Sequence, residues 1–132
     1  MIGENLCESP IEERFYAAMK SWMDSEGDKG IDCICQHEID CYRLDFILMW
    51  NGARILAVEC DGHDWHEKTK EQAARDKGRD RWLLCEYGLP TLRFTGSEIH
   101  RNAESCVEQA LQAAHGIAGS IAWADHLEGA RG

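Results

Sequence analysis

Near the start of the chain, apolar residues recur at helical spacing, with Ile11, Phe15, Ala18, Met19 and Trp22 on one stripe. Ser9-Pro10-Ile11-Glu12 reads as the start of that helix: Ser9 as N-cap, Pro10 at the first helical position, and Glu12 placed to complete a capping box. The helix is expected to run to about Asp24 and to stop before Gly27. The period then changes to two. Ile31–Ile39 and Tyr42–Trp50 read as strands, the second alternating around Leu44, Phe46, Leu48 and Trp50, and Arg54–Cys60 reads as a third strand after the Asn51-Gly52-Ala53 turn. Glu67–Tyr87 is expected to be helical and to end at Gly88. Thr91–Phe94 follows as a short strand, and Ser97–His115 as a last helix capped by Ser97. The order α-β-β-β-α-β-α predicts one α/β domain over residues 1–116, with a Gly/Ala-rich tail at 117–132 that carries no structural signal.

Composition supports a single core: 132 residues with 44% hydrophobic positions are enough for one ordinary domain and too apolar for a disordered chain. The longest apolar run, Phe46–Trp50, falls far short of the ~20 residues of a membrane span, and the N-terminus lacks a basic segment followed by an apolar one. Seven cysteines, odd in number and never spaced C-x-x-C, fit reduced thiols in a cytoplasm. Cys33, Cys35, His37 and Cys41 share odd positions, but no second cysteine pair completes a zinc site. The net charge of −10 argues against a protein that coats nucleic acid. Charge is nevertheless uneven. Lys68, Lys70, Arg75, Lys77, Arg79 and Arg81 crowd one segment against Glu71, Asp76 and Asp80, either as a salt-bridged solvated face or as one that tracks phosphates.

Asp45 and Glu59 lie on consecutive strands, so the turn between them decides whether they share a face. A two-residue loop sets Asp45 opposite Val58 and drives Glu59 among Phe46 and Leu48. A three-residue loop pairs Trp50 with Arg54 instead, lays Leu44, Phe46 and Leu48 against Cys60, Val58 and Leu56, and sets Asp45 beside Glu59. The second register pairs apolar with apolar throughout and is the one expected. It leaves two carboxylates at ~5 Å between Cβ atoms, which a divalent cation would neutralise, or else a pairing of one of them with Arg43 or a lysine.

Taken in order, Ser-Pro-Ile-Glu12, Gln36-His37, Tyr42-Arg-Leu-Asp45-Phe46, Leu56-Ala-Val-Glu59-Cys-Asp61-Gly62 with His66, Asp76-x-x-Arg79-Asp80-x-x-Leu83, Gly88-Leu-Pro-Thr-Leu92-Arg93-Phe94 and Glu98-Ile99 form a pattern. It resembles the small nuclease-like domains related to very-short-patch-repair endonucleases, a branch of the PD-(D/E)XK nuclease superfamily, and spans about residues 9 to 111. The resemblance implies a restriction-endonuclease-like core, a mixed β-sheet flanked by helices, and an Mg2+- or Mn2+-dependent endonuclease acting on DNA. It implies metal ligation by Asp45 and Glu59, with Asp61 as a further ligand or turn residue and Glu12 as a third acid or simply a cap. One departure stands out: the superfamily's Glu-x-Lys reads Glu59-Cys60-Asp61 here. His66, as in the patch-repair enzymes, Gln36, or a lysine from Lys68 and Lys70 are the candidates for the missing role. Lys68, Lys70, Arg75, Arg79 and Arg93 are candidate phosphate contacts. An inactive DNA-binding or protein-interaction module on the same fold is the alternative. A homodimer or partner subunit would suit a small nuclease that cuts both strands.

Overall fold

The computed structural model describes residues 7–26, 30–62 and 69–131. Its elements are α1 (Pro10–Glu26), β1 (Ile31–Ile39), β2 (Tyr42–Trp50), β3 (Ala53–Asp61), α2 (Lys70–Tyr87), β4 (Thr91–Thr95) and α3 (Gly96–Arg131). The element order is the expected one. The four strands form one sheet in sequence order, with β1/β2 and β2/β3 antiparallel and β3/β4 parallel. A parallel pair needs a crossover, and α2 supplies it. Phe15 and Met19 of α1 and Ile99, Val107 and Ala110 of α3 pack against Phe46, Leu48 and Val58 in the larger core. Leu83 of α2 closes a smaller core with Ile39, Leu44, Ile47 and Ala57. Helices therefore flank both faces of a mixed sheet. Among the described residues, no helix is long and apolar enough to cross a membrane.

The β2–β3 hairpin departs from the expected three-residue loop. Asn51 (φ 49°) and Gly52 (φ 81°) both take left-handed backbone, the requirement of a type I′ turn, and Trp50 pairs with Ala53. A bulge then absorbs the missing residue, because Met49 opposes Arg54 while Leu48 opposes Leu56, so that Ile55 is extra. Beyond it, Ile47 faces Ala57 and Phe46 faces Val58, the register that apolar pairing demands. Leu44 is a second departure: it packs with Ile47 in the smaller core and not with Phe46. The break in alternation coincides with Gln36, at φ 50° in the middle of the adjoining β1.

Helix ends account for the other differences. Thr69 caps α2 in a full capping box with Gln72, later than the expected start at Glu67, which lies outside the described residues. Gly88, left-handed at φ 63°, ends α2 as expected. For α3 the cap is Thr95 and not Ser97: Thr95 Oγ1 accepts from Glu98 N at 3.1 Å, and Glu98 Oε1 accepts from Thr95 N at 3.0 Å. The helix kinks at Asn102, whose Oδ1 re-caps it by accepting from Ser105 N at 3.0 Å. It also continues well past His115, because Ala114 and Ala118 are buried in the larger core and Ile117 packs against it.

Candidate active site

One row of positions crosses the sheet. Cys35 pairs with Phe46 and His37 with Leu44, which sets Gln36 opposite Asp45. Continuation of the β2–β3 register sets Asp45 opposite Glu59, and Glu59 pairs with Arg93 on β4. Glu12 reaches the row from the first turn of α1. Its N–H donates to Ser9 Oγ at 3.2 Å, its Oε2 accepts from that hydroxyl at 3.0 Å, and its Oε1 accepts from Gln36 Nε2. The first turn of a capped helix thus holds a carboxylate against β1. Gly96 lets the elements meet here, since a Cβ on it would stand 2.6 Å from Ile11 Cδ1 and 3.3 Å from Gly62 O.

Asp45 and Glu59 interlock through the backbone. Asp45 N donates to Glu59 Oε2 at 3.2 Å, and Cys60 N donates to Asp45 Oδ2 at 2.8 Å. Neither carboxylate pairs with Arg43, which bridges to Glu8 at 2.7 Å. Glu59 is only 4% exposed, and Arg79 Nη2 of α2 stands 2.8 Å from its Oε1. That contact is an ion pair without an aimed N–H: Glu59 Oε1 and Arg79 Nε are both buried with no hydrogen-bond partner. Burial pushes the Glu59 carboxyl far above its ordinary range, Asp45 adds to the rise by hydrogen bond and charge, and Arg79 only partly opposes it. Glu12 is raised too, by burial first and the Asp45 charge second, against the pull of Ser9 and Gln36. Among the described residues, no three His, Cys, Asp or Glu side chains converge into a ready-made cation cage. The Asp45–Glu59 pair nonetheless fits a hard divalent cation. It offers carboxylate oxygens, one of them buried and unsatisfied, and Mg2+ is commonly held by one or two carboxylates with water completing its shell.

The remaining expected site residues fall into separate places. Asp61 Oδ1 accepts from Arg93 Nη1 at 3.1 Å. Arg93 also donates from Nη2 and Nε to Asp80 at 2.8 and 2.9 Å and stands 3.8 Å from Asp76. Burial works to lower its pKa, but Asp80, Asp61 and Asp76 outweigh that and raise it. Arg75 and Arg79, with Tyr42, Gln72 and Asp76, line a cleft of about 330 Å³. Lys70 is exposed at the start of α2, and His66 and Lys68 lie outside the described residues. Cys33 and Cys35 are core residues, burial pushing the Cys33 thiol up to about 12, while Cys41 is exposed.

Sequence reasoning left open whether Arg79 belongs to a salt-bridged solvated face or to one that tracks phosphates, and it missed the carboxylates around Arg93. The spacing of Asp76 and Asp80, one turn apart on α2, was a usable signal, because a helix crossing over between β3 and β4 must lay one face near them.

Residues 17–114 match the REase_MTES_1575 family of restriction-endonuclease-like proteins. Among solved structures, the chain is similar to the catalytic domain of the homing endonuclease I-Bth0305I, at a TM-score of 0.54 and 19% identity, over 80% of this chain and 94% of that one. No curated protein matches the chain significantly. The shared fold is the α/β one described above, with its mixed four-stranded sheet between helices. Since the family match takes in β1 to β4 with Asp45, Glu59 and Arg79, the chain belongs to the REase_MTES_1575 restriction-endonuclease-like family.

Proposed function

We propose that the protein is a metal-dependent endonuclease that hydrolyses DNA phosphodiester bonds at Asp45 and Glu59. The observation that carries this reading is the buried Glu59 carboxylate beside Asp45, with one oxygen held by the Arg79 ion pair alone and by no aimed hydrogen bond. An acid whose pKa is raised by burial first and by Asp45 second, and whose hydrogen bonding is incomplete, is costly to keep for structure alone. Asp45 and Glu59 would hold Mg2+ or Mn2+, which when bound supplies Lewis acidity toward a phosphoryl oxygen and a more acidic water. Asp45 is fixed by the Cys60 N–H and Glu59 by the Asp45 N–H, so both are oriented before any ligand arrives. Glu12 and Gln36 hold each other at the end of the row, where Glu12 adds a third acidic group. The cleft lined by Arg75 and Arg79 supplies cations for the DNA backbone on the α2 side.

The test is cleavage of supercoiled plasmid and of labelled single-stranded, duplex and mismatched oligonucleotides, with Mg2+, Mn2+ or EDTA. Cutting that needs the metal supports the reading. DNA binding that is indifferent to metal, with no cutting, would instead mark an inactive binding module.

A further inference from the structure

We propose that Arg79 takes the part of the missing motif lysine by donating hydrogen bonds to a non-bridging oxygen of the scissile phosphate. The inference rests on the nuclease reading above and goes beyond it by assigning the group that meets the reacting phosphate.

The position two residues after Glu59, where the superfamily motif carries its lysine, holds Asp61, an acid bound to Arg93. Cys60 between them packs against the larger core and brings no charge. Two described cations stand at Glu59 and its row: Arg79 by contact and Arg93 by strand pairing. Arg93 is occupied, with Asp80, Asp61 and Asp76 around it. Arg79 has capacity to spare. Its ion pair is with Glu59 Oε1, its Nε is buried without an acceptor, and its guanidinium carbon lies 5.9 Å from the Tyr42 ring centroid. A guanidinium N–H kept from water without a partner is a cost that an entering anion would relieve. The side chain is 20% exposed and lines the cleft with Tyr42, Gln72, Arg75 and Asp76, so the anion has a route to it. The planar fork suits two phosphate oxygens or a phosphate and a carboxylate together.

In the hydrolysis, the oxygen of a water forms a bond to phosphorus, the P–O ester bond breaks, and the proton lost by the water ends on the leaving oxygen through solvent. Arg79 transfers no proton in this scheme. Its guanidinium stays charged and stabilises the negative charge that builds on the phosphoryl oxygens.

The decisive experiment compares wild type, Arg79→Met and Arg79→Lys for kcat and KM on an oligonucleotide that wild type cuts, for Mn2+ affinity by calorimetry without DNA, and for Tm. Arg79→Met is expected to lower kcat on the order of 100-fold with KM within a few-fold, and Arg79→Lys to fall between it and wild type. In the same Arg79→Met protein, Mn2+ is expected to bind several-fold more tightly, because a cation has been removed from beside Glu59. A brace with only a structural role predicts the reverse, weaker metal binding along with the lost activity, and that result would overturn the proposal. So would an unchanged kcat in Arg79→Met. If Arg79→Met fails to fold, Arg79→Gln decides: a kcat equal to wild type overturns the assignment, and a clear loss at unchanged Tm supports it. If wild type cuts no substrate with any metal, the nuclease reading itself has failed, and this inference with it.

Discussion

Two arginines stand beside the same sheet row and are used in opposite ways. Arg93 gathers Asp80, Asp61 and Asp76 around one guanidinium, so all three of its nitrogens donate to carboxylates and its charge is more than balanced. Arg79 meets the single carboxylate of Glu59 in a geometry that leaves a donor on one side and an acceptor on the other unsatisfied. The first arrangement ties α2 and β4 to the end of β3. The second leaves buried polar capacity unused, as a structure built only for stability avoids and as a binding site requires.

The largest expected stability effect comes from breaking the saturated centre. Arg93→Met leaves three carboxylates facing one another and should lower stability by about 2–3 kcal/mol, discounted for its partial exposure, read as a fall in Tm of roughly 6–12 °C. An equal Tm in the variant would show that the cluster is no anchor.

Opposite behaviour is expected of the other centre. The folded-state pKa of Glu59 lies above its ordinary value of 4.5, so ionising it costs stability as pH rises above that value. Glu12 acts in the same direction. Metal-free protein should therefore melt higher at pH 5.5 than at pH 7.5, and Glu59→Gln should melt a few degrees higher than wild type at pH 7.5 while losing part of that pH dependence. A lower Tm in Glu59→Gln at pH 7.5 would mean that the ion pair with Arg79 outweighs the burial. Mg2+ or Mn2+ should raise the Tm of wild type by a few degrees at pH 7.5 and leave Glu59→Gln unmoved, since a ligand that binds the folded state stabilises it by mass action.

The smallest effect is at the edge of the row. Ser9→Ala removes both the cap of α1 and one bond to Glu12, for a loss of about 1 kcal/mol. A drop of several times that size would show that Ser9 does more than cap.

What the chain reveals without its structure follows the same division. The element order was legible because periodicity, Ser9-Pro10 and Gly88 are local signals. The neighbouring of Asp45 and Glu59 was legible for a different reason. Matching Phe46 to Val58 and Leu48 to Leu56 admits one register, and the protein reaches it through a two-residue turn and a bulge at Ile55 where a three-residue loop was expected. Energetics of the core fixed the register, and the turn accommodated it. The change of side at Leu44 was not legible, because nothing in Tyr42–Trp50 announces the left-handed backbone of Gln36 on the neighbouring strand. Nor were the partners of Arg79 and Arg93. Asp76, Arg79 and Asp80 look from the sequence like a solvated helix face, and only the crossover of α2 turns them toward β3 and β4. The continuation of α3 past His115 was hidden by glycines at 116 and 119, which weaken a helix that burial of Ala114 and Ala118 restores.

The central claim, that Asp45 and Glu59 are the chemical centre, is tested most directly by nicking of supercoiled plasmid in Mg2+ by wild type, Asp45→Ala and Glu59→Ala, each shown by circular dichroism to be folded. The account predicts that wild type nicks the plasmid, that EDTA stops it, and that both variants fall below detection. Nicking by either folded variant at the wild-type rate would contradict it.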